Sequence, residues 1–314
     1  MRSTDIIDYL DKNDVKYVKE RIVDCQISGF SSLFQYKADT ITFIVPERDF
    51  DDYAASFSDR KIAFIIIGMS AKVYDCYQTV IRAESPRKLF FEILDKCFST
   101  EPDETITGIS SNPEIYRRNS FIAPGVVIGN NVKIGIGCVI EGNVIIGDDT
   151  EIHHNVVIRN KTTIGKRCTI HSGVIIGEYG FGSIVNDEGG RTMLKHYGGV
   201  EIEDDVHIGD NSVIIRGAID NTVIKHGVKM NTMVHIAHND VIGENTMITS
   251  PVHVCGSVTI GRNCHIAGAI IRNQRSVGDR STVGLGAVVV KDVEEGTVVI
   301  GNPAKPMDKS KKSV

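Results

Sequence analysis

Three histidines close together, His235, His238 and His253, are the side chains best suited by type and spacing to move a proton or hold a metal. A neutral imidazole titrates near working pH, so it can take a proton from an ammonium group, and it is also a common zinc ligand. A catalytic zinc needs three protein ligands and an open position. His235 and His253 supply two, His238 or a neighbouring subunit would supply the third, and no metal motif accompanies them. Their alternative is a surface imidazole ladder. Seven cysteines are scattered without a CxxC pair, which argues against a disulfide framework and for a reducing cytoplasm. Arg216, Arg272, Arg275, Arg280 and Lys305 are candidate phosphate partners, although an isolated cation is more often simply solvated.

These residues must be held by something, and the spacing of isoleucine says what. Every sixth residue from Ile122 to Ile176 is isoleucine: Ile122, Ile128, Ile134, Ile140, Ile146, Ile152, Ile158, Ile164, Ile170 and Ile176. Small or β-branched residues stand two places earlier, as at Val126, Val132, Cys138, Val144 and Thr150. A period of six fits neither the helical 3.6 nor a plain strand alternation, and it is the signature of a hexapeptide parallel β-helix. Three hexapeptides close a triangular coil of 18 residues, with the isoleucines inside. On that count His235 and His253 stack on adjacent coils of one face. Cys138, Cys168 and Cys264 fall at inward positions and are read as structural.

The count fails after Gly177 and resumes at Ile202, so the glycine-rich stretch 178–199 reads as a loop extruded from the coil. A second slip falls near Asp220 and a third before Val277. Residues 1–100 have another texture. Ile6, Ile7 and Leu10 suggest a short helix, 61–68 a buried strand, and Ser85–Pro86 the start of a helix. We therefore expect a mainly β protein: a small α/β domain over 1–100, a linker over 101–118, a β-helix over 119–306 and a basic tail over 307–314. A net charge of −5 gives no footprint for nucleic acid, the longest apolar run cannot span a bilayer, and the N-terminus lacks a signal-peptide core.

Three segments carry a resemblance: Ile170–Gly182 with its Gly-Phe-Gly, Arg216–Thr222, and His235-Ile-Ala-His-Asn-Asp-Val-Ile-Gly243. Together with Ile41–Val45 and the helix from Ser85, they resemble the UDP-3-O-acylglucosamine N-acyltransferases of lipid A synthesis. The left hand of the β-helix and a homotrimer with clefts between neighbours follow from this resemblance. It implies a nucleotide-linked amino sugar as acyl acceptor, no tightly bound cofactor, and His238 as general base, its alternative being a solvated corner histidine. The Gly256 N–H would be the oxyanion donor, or Gly256 a mere turn glycine. Asn231 stands where the family has aspartate and would orient the imidazole. Phe43 and Phe50 would sandwich the base, or pack in a core, with Tyr179, Phe181, Arg216 and His235 also on the nucleotide sugar.

Departures from the family pattern shape the finer expectation. Pro46 stands where the base-stacking stretch has Asn, and Phe50 where it has Tyr, which points away from uracil. The ending Gly301–Pro306 resembles CoA-dependent hexapeptide acyltransferases, so acyl-CoA rather than acyl carrier protein is the expected donor. His253, Arg272, Arg275, Arg280 and Lys305 would then meet that donor. The expected acceptor is a dTDP-4-amino-4,6-dideoxyhexose, as in anthrose-type enzymes. The alternatives are lipid A-type N-acylation with acyl carrier protein, a metal-dependent hydratase resembling the γ-class carbonic anhydrases, and a non-catalytic scaffold.

Overall fold

The computed structural model describes residues 1–33, 35–44, 61–98, 119–185 and 189–306. The chain divides into two compact units, Met1–Asp103 with Phe181–Lys195, and Glu104–Gly180 with His196–Val314. The expected linker over 101–118 and basic tail over 307–314 lie outside the described residues.

The first unit begins with α1 (Ser3–Lys12), which buries Ile6, Ile7 and Leu10. Five strands follow: β1 (Val18–Arg21), β2 (Gly29–Phe30), β3 (Thr40–Phe43), β4 (Ile62–Gly68) and β5 (Tyr77–Ala83). They form one sheet in the order β1-β5-β4-β3-β2, parallel except where β1 meets β5. Every residue of β4 is buried, as a continuous apolar run at the centre of a parallel sheet should be. Helix α2 (Pro86–Ile93) opens with proline in its first turn, where no N–H is needed, and continues into a π-helical turn, Leu94–Phe98. Phe181–Lys195 contains an antiparallel pair, Ser183–Val185 with Arg191–Met193. The stretch read as a bare loop therefore holds its own hairpin.

The second unit is a parallel β-helix of three sheets. Isoleucines three repeats apart pair in register, as Ile128 with Ile146 and Ile146 with Ile164. Ile164 pairs with Ile202 across the excursion, and Ile202 with Ile224 across the second slip. The interior is one column of isoleucine and valine with Cys138, Cys168 and Cys264 buried among them. Ile128 and Ile134, in the first coil, are only partly covered.

Most corners turn through a residue with positive φ, commonly asparagine: Asn131, Asn155, Asn211, Asn239, Asn245 and Asn263 all lie between 55° and 61°. Asparagine tolerates this left-handed region better than other non-glycine residues. At several corners an inward hydroxyl joins successive coils. Thr150 Oγ1 accepts the Cys168 N–H at 3.1 Å and donates to Gly165 O at 2.9 Å.

Candidate active site

The strand Val234–Ile236 ends at the corner Ala237–Asp240, and Asn239 is its left-handed residue. The Asn239 side chain is locked from below. Its Oδ1 accepts the Ala218 N–H at 3.0 Å and its Nδ2 donates to Asp220 O at 2.9 Å, which fixes the amide's orientation. That same Oδ1 lies 3.1 Å from His238 Nδ1. An acceptor so placed requires Nδ1 to carry the proton, which makes Nε2 the basic nitrogen of the neutral ring. Thr222 Oγ1 accepts the Asn239 N–H at 2.9 Å and completes the clamp.

His238 Nε2 lies against Gly256, one coil on. A Cβ built on Gly256 would stand 2.6 Å from both Cε1 and Nε2 of His238, so no side chain fits there. Among the described residues no acceptor takes the Gly256 N–H. His238 and Gly256, paired by sequence alone, are thus in contact. The same corner continues to Arg272 and Arg275, because Cys255 N–H bonds Ile271 O and Gln274 N–H bonds Gly256 O, both at 3.0 Å. Arg272 is exposed; Arg275 is half-buried with its Nη1 3.6 Å from Asp292.

On the other side of the imidazole stands His196, buried, its ring edge-on to His238 at 5.4 Å between centroids. Its Nδ1 lies 3.3 Å from the Gly180 nitrogen and from Arg216 O. Sequence reasoning missed His196, which lies inside the stretch where the repeat count fails. Tyr179 packs edge-on against it at 6.4 Å.

His235 and His253 stack as expected, ring planes 6° apart at 4.4 Å, on one face of the prism. Burial and the nearby His253 hold the His235 pKa below its usual value. An open groove of about 380 Å³ beside His235 is lined by Asn211, Val213, Met233 and Val234. Among the described residues no group of three His, Cys, Asp or Glu is placed to hold a metal.

Several expectations are corrected. Arg216 is only 3% exposed, and its guanidinium donates to Gly177 O at 2.6 Å, Asn160 O at 2.6 Å and Asn160 Oδ1 at 2.7 Å while lying over the Tyr179 ring. It staples coils together and does not present its charge to a pyrophosphate; burial lowers its pKa. Asn231 accepts the Thr232 N–H at 2.8 Å within its own turn, whereas the Oδ1 beside His238 Nδ1 is that of Asn239. Phe43 packs one face on Phe90 at 4.7 Å, with Phe91 edge-on at 6.5 Å, so at most one face is left for a base. Phe50 lies outside the described residues. Phe181 is 93% exposed on the excursion. Arg280 pairs with Glu295 at a different corner, and Lys305 sits on a terminal strand of another face.

The bacterial transferase hexapeptide model (six repeats) matches residues 125–160 and 143–178. The chain is 43% identical over 253 residues to the UDP-3-O-acylglucosamine N-acyltransferase of Helicobacter hepaticus, covering 78% of this chain and 74% of that protein. It is 39% identical over 132 residues to the enzyme of that name from Delftia acidovorans, covering 42% of this chain and 39% of that protein. Among solved structures, the UDP-N-acetylglucosamine O-acyltransferase of Moraxella catarrhalis is 28% identical with a TM-score of 0.56, over 62% of this chain and 74% of that one. The coil is of that left-handed kind.

Proposed function

Since the chain belongs to the UDP-3-O-acylglucosamine N-acyltransferase family and is an acyltransferase, we propose that it transfers an acyl group from a thioester to the amino group of UDP-3-O-acylglucosamine. The observation that carries this reading is the close approach of the His238 imidazole, through Nε2 and Cε1, to the Gly256 backbone. An amine attacking a thioester must lose a proton, and the carbonyl oxygen must be held as negative charge grows on it. In the proposed course Nε2 takes the proton as the amine nitrogen bonds the acyl carbon. The Gly256 N–H meets the oxyanion. The C–S bond then breaks, and the thiolate recovers the proton from the imidazolium. Nδ1 keeps its proton on Asn239 throughout.

This acceptor replaces the dTDP-4-amino sugar. The relatives' name supports it, and the argument against uracil rested on Pro46 and Phe50, which lie outside the described residues. For the donor we favour acyl carrier protein over acyl-CoA. The family membership supports it, and Arg272 and Arg275, on the His238 corner, suit an acidic partner. The CoA expectation leans on the Gly301–Pro306 ending, whose Lys305 stands on another face of the prism. The assembly proposed is a homotrimer, since a closed ring of prisms gives each His238 corner a neighbour. No helix among the described residues is long and apolar enough to cross a membrane, and seven free thiols suit a reducing compartment.

Four assays test the reading: UDP-3-O-acylglucosamine and a dTDP-4-amino-4,6-dideoxyhexose, each with one acyl group on carrier protein and on CoA. The highest kcat/KM is expected for the UDP sugar with the carrier-protein thioester. A dTDP sugar turned over faster would return the acceptor to the earlier expectation, and faster use of acyl-CoA would do so for the donor.

A further inference from the structure

Asp240 is fully buried in the prism, at the inward corner place that elsewhere holds small residues such as Thr150, Thr222 and Thr246. Its Oδ1 accepts the Val258 N–H, one coil on, at 2.8 Å. Threonine already serves that purpose: Thr246 Oγ1 accepts the Cys264 N–H at 3.0 Å and returns its own proton to Gly261 O at 2.8 Å. What the carboxyl adds is a second acceptor. Asp240 Oδ2 turns back into its own corner and accepts the Ala237 N–H at 2.9 Å. Ala237 N–H also reaches Val254 O, but at 3.2 Å, whereas Gly147 N–H and Gly243 N–H make the equivalent bond at 2.8 Å. The second oxygen thus shares the N–H just before His238 with the strand of the next coil, and the bond to that strand is the longer one.

We infer that Asp240 is a positioning residue for acyl transfer: one buried carboxyl ties the Ala237–His238 turn to the Gly256–Val258 turn and sets the spacing between the proton acceptor and the oxyanion donor. The inference rests on the reading of His238 as base. A carboxyl is a costly choice here, because burial disfavours its charge, and it is pushed well above its ordinary range against the pull of two N–H donors. Coil stacking requires no such group, since threonine hydroxyls do the same work at Thr150 and Thr246 and valine fills the place at Val144, Val156 and Val228. The added oxygen acts only on the backbone that carries His238.

The test is Asp240→Thr, which keeps an acceptor for Val258 and removes the one on Ala237. Expected are a kcat lower by about tenfold or more and KM values for both substrates within about twofold of wild type, since small misplacement of reacting groups acts on the chemical step. The melting temperature should hold or rise. Asp240→Asn should lose kcat and melt lower, because its amide must turn a donor toward one of the two N–H groups. Wild-type kcat in Asp240→Thr overturns the inference, and so does loss of its fold, which would assign the carboxyl to the stack. His238→Ala, assayed alongside, separates the claims. Full turnover there ends the base reading, while turnover lost there but kept in Asp240→Thr ends the positioning one.

Discussion

An asparagine amide that must accept at one end and donate at the other leaves His238 no choice of tautomer. Asn239 Oδ1 accepts from Ala218 and Nδ2 donates to Asp220, so the proton of His238 sits on Nδ1. Nitrogen-15 spectra of the imidazoles should therefore show His238 in the Nδ1-protonated form. Asn239→Ala should lower kcat by about tenfold to a hundredfold, as loss of an orienting partner does elsewhere. Gly256→Ala should lower both activity and stability, the latter by about 1–3 kcal/mol, because its methyl enters the imidazole. His235 supplies a pH dependence of known sign. Burial lowers its pKa, so the unfolded chain binds the proton more readily. Stability is then present above the ordinary histidine pKa and lost as pH falls through the lowered one. His207, lowered chiefly by burial and then by His171, acts in the same direction. Thermal melts from pH 7.5 down to 5.5 should show a decline that His235→Gln makes shallower; an unchanged slope would count against this assignment.

At the scale of the coil, the corner is the unit that matters. Asn245, with φ of 55°, typifies the left-handed corner residue. Asn245→Val should cost about 1–2 kcal/mol in chemical denaturation, while Asn245→Gly should cost much less. Equal losses would show that side-chain contacts, not backbone strain, set the price. The corners also explain what the sequence let one read. Isoleucine every six residues gives the coil away, and His238 and Gly256 fall on one corner because they are 18 residues apart. His196 was invisible, since the excursion before it breaks the count that places residues in space. Asp240 was passed over because its place reads as an ordinary inward corner. Arg216 was taken for a surface cation, as nothing in its neighbours tells that the chain turns it inward onto Gly177 and Asn160. Asn231 comes to attention only through the family pattern, and the contact of Asn239 Oδ1 with His238 Nδ1 becomes visible only in the fold.

For the whole molecule, a stack in which each coil rests on its neighbours carries one continuous core, and damage anywhere in it is shared. The proposed trimer predicts an equilibrium sedimentation mass three times that of the 34.4 kDa chain; a monomer at assay concentration would contradict it. The central claim is that this prism acylates a nucleotide-linked amine with His238 as the base. Its most direct test is single-turnover amide formation from UDP-3-O-acylglucosamine and an acyl carrier protein thioester, followed across pH in wild type and His238→Ala. The wild-type rate should fall on the acid side with one protonation, and the variant, still folded, should lose that limb along with about a hundredfold or more in rate. Amide formed by His238→Ala at the wild-type rate, with the same acid limb, would contradict the account.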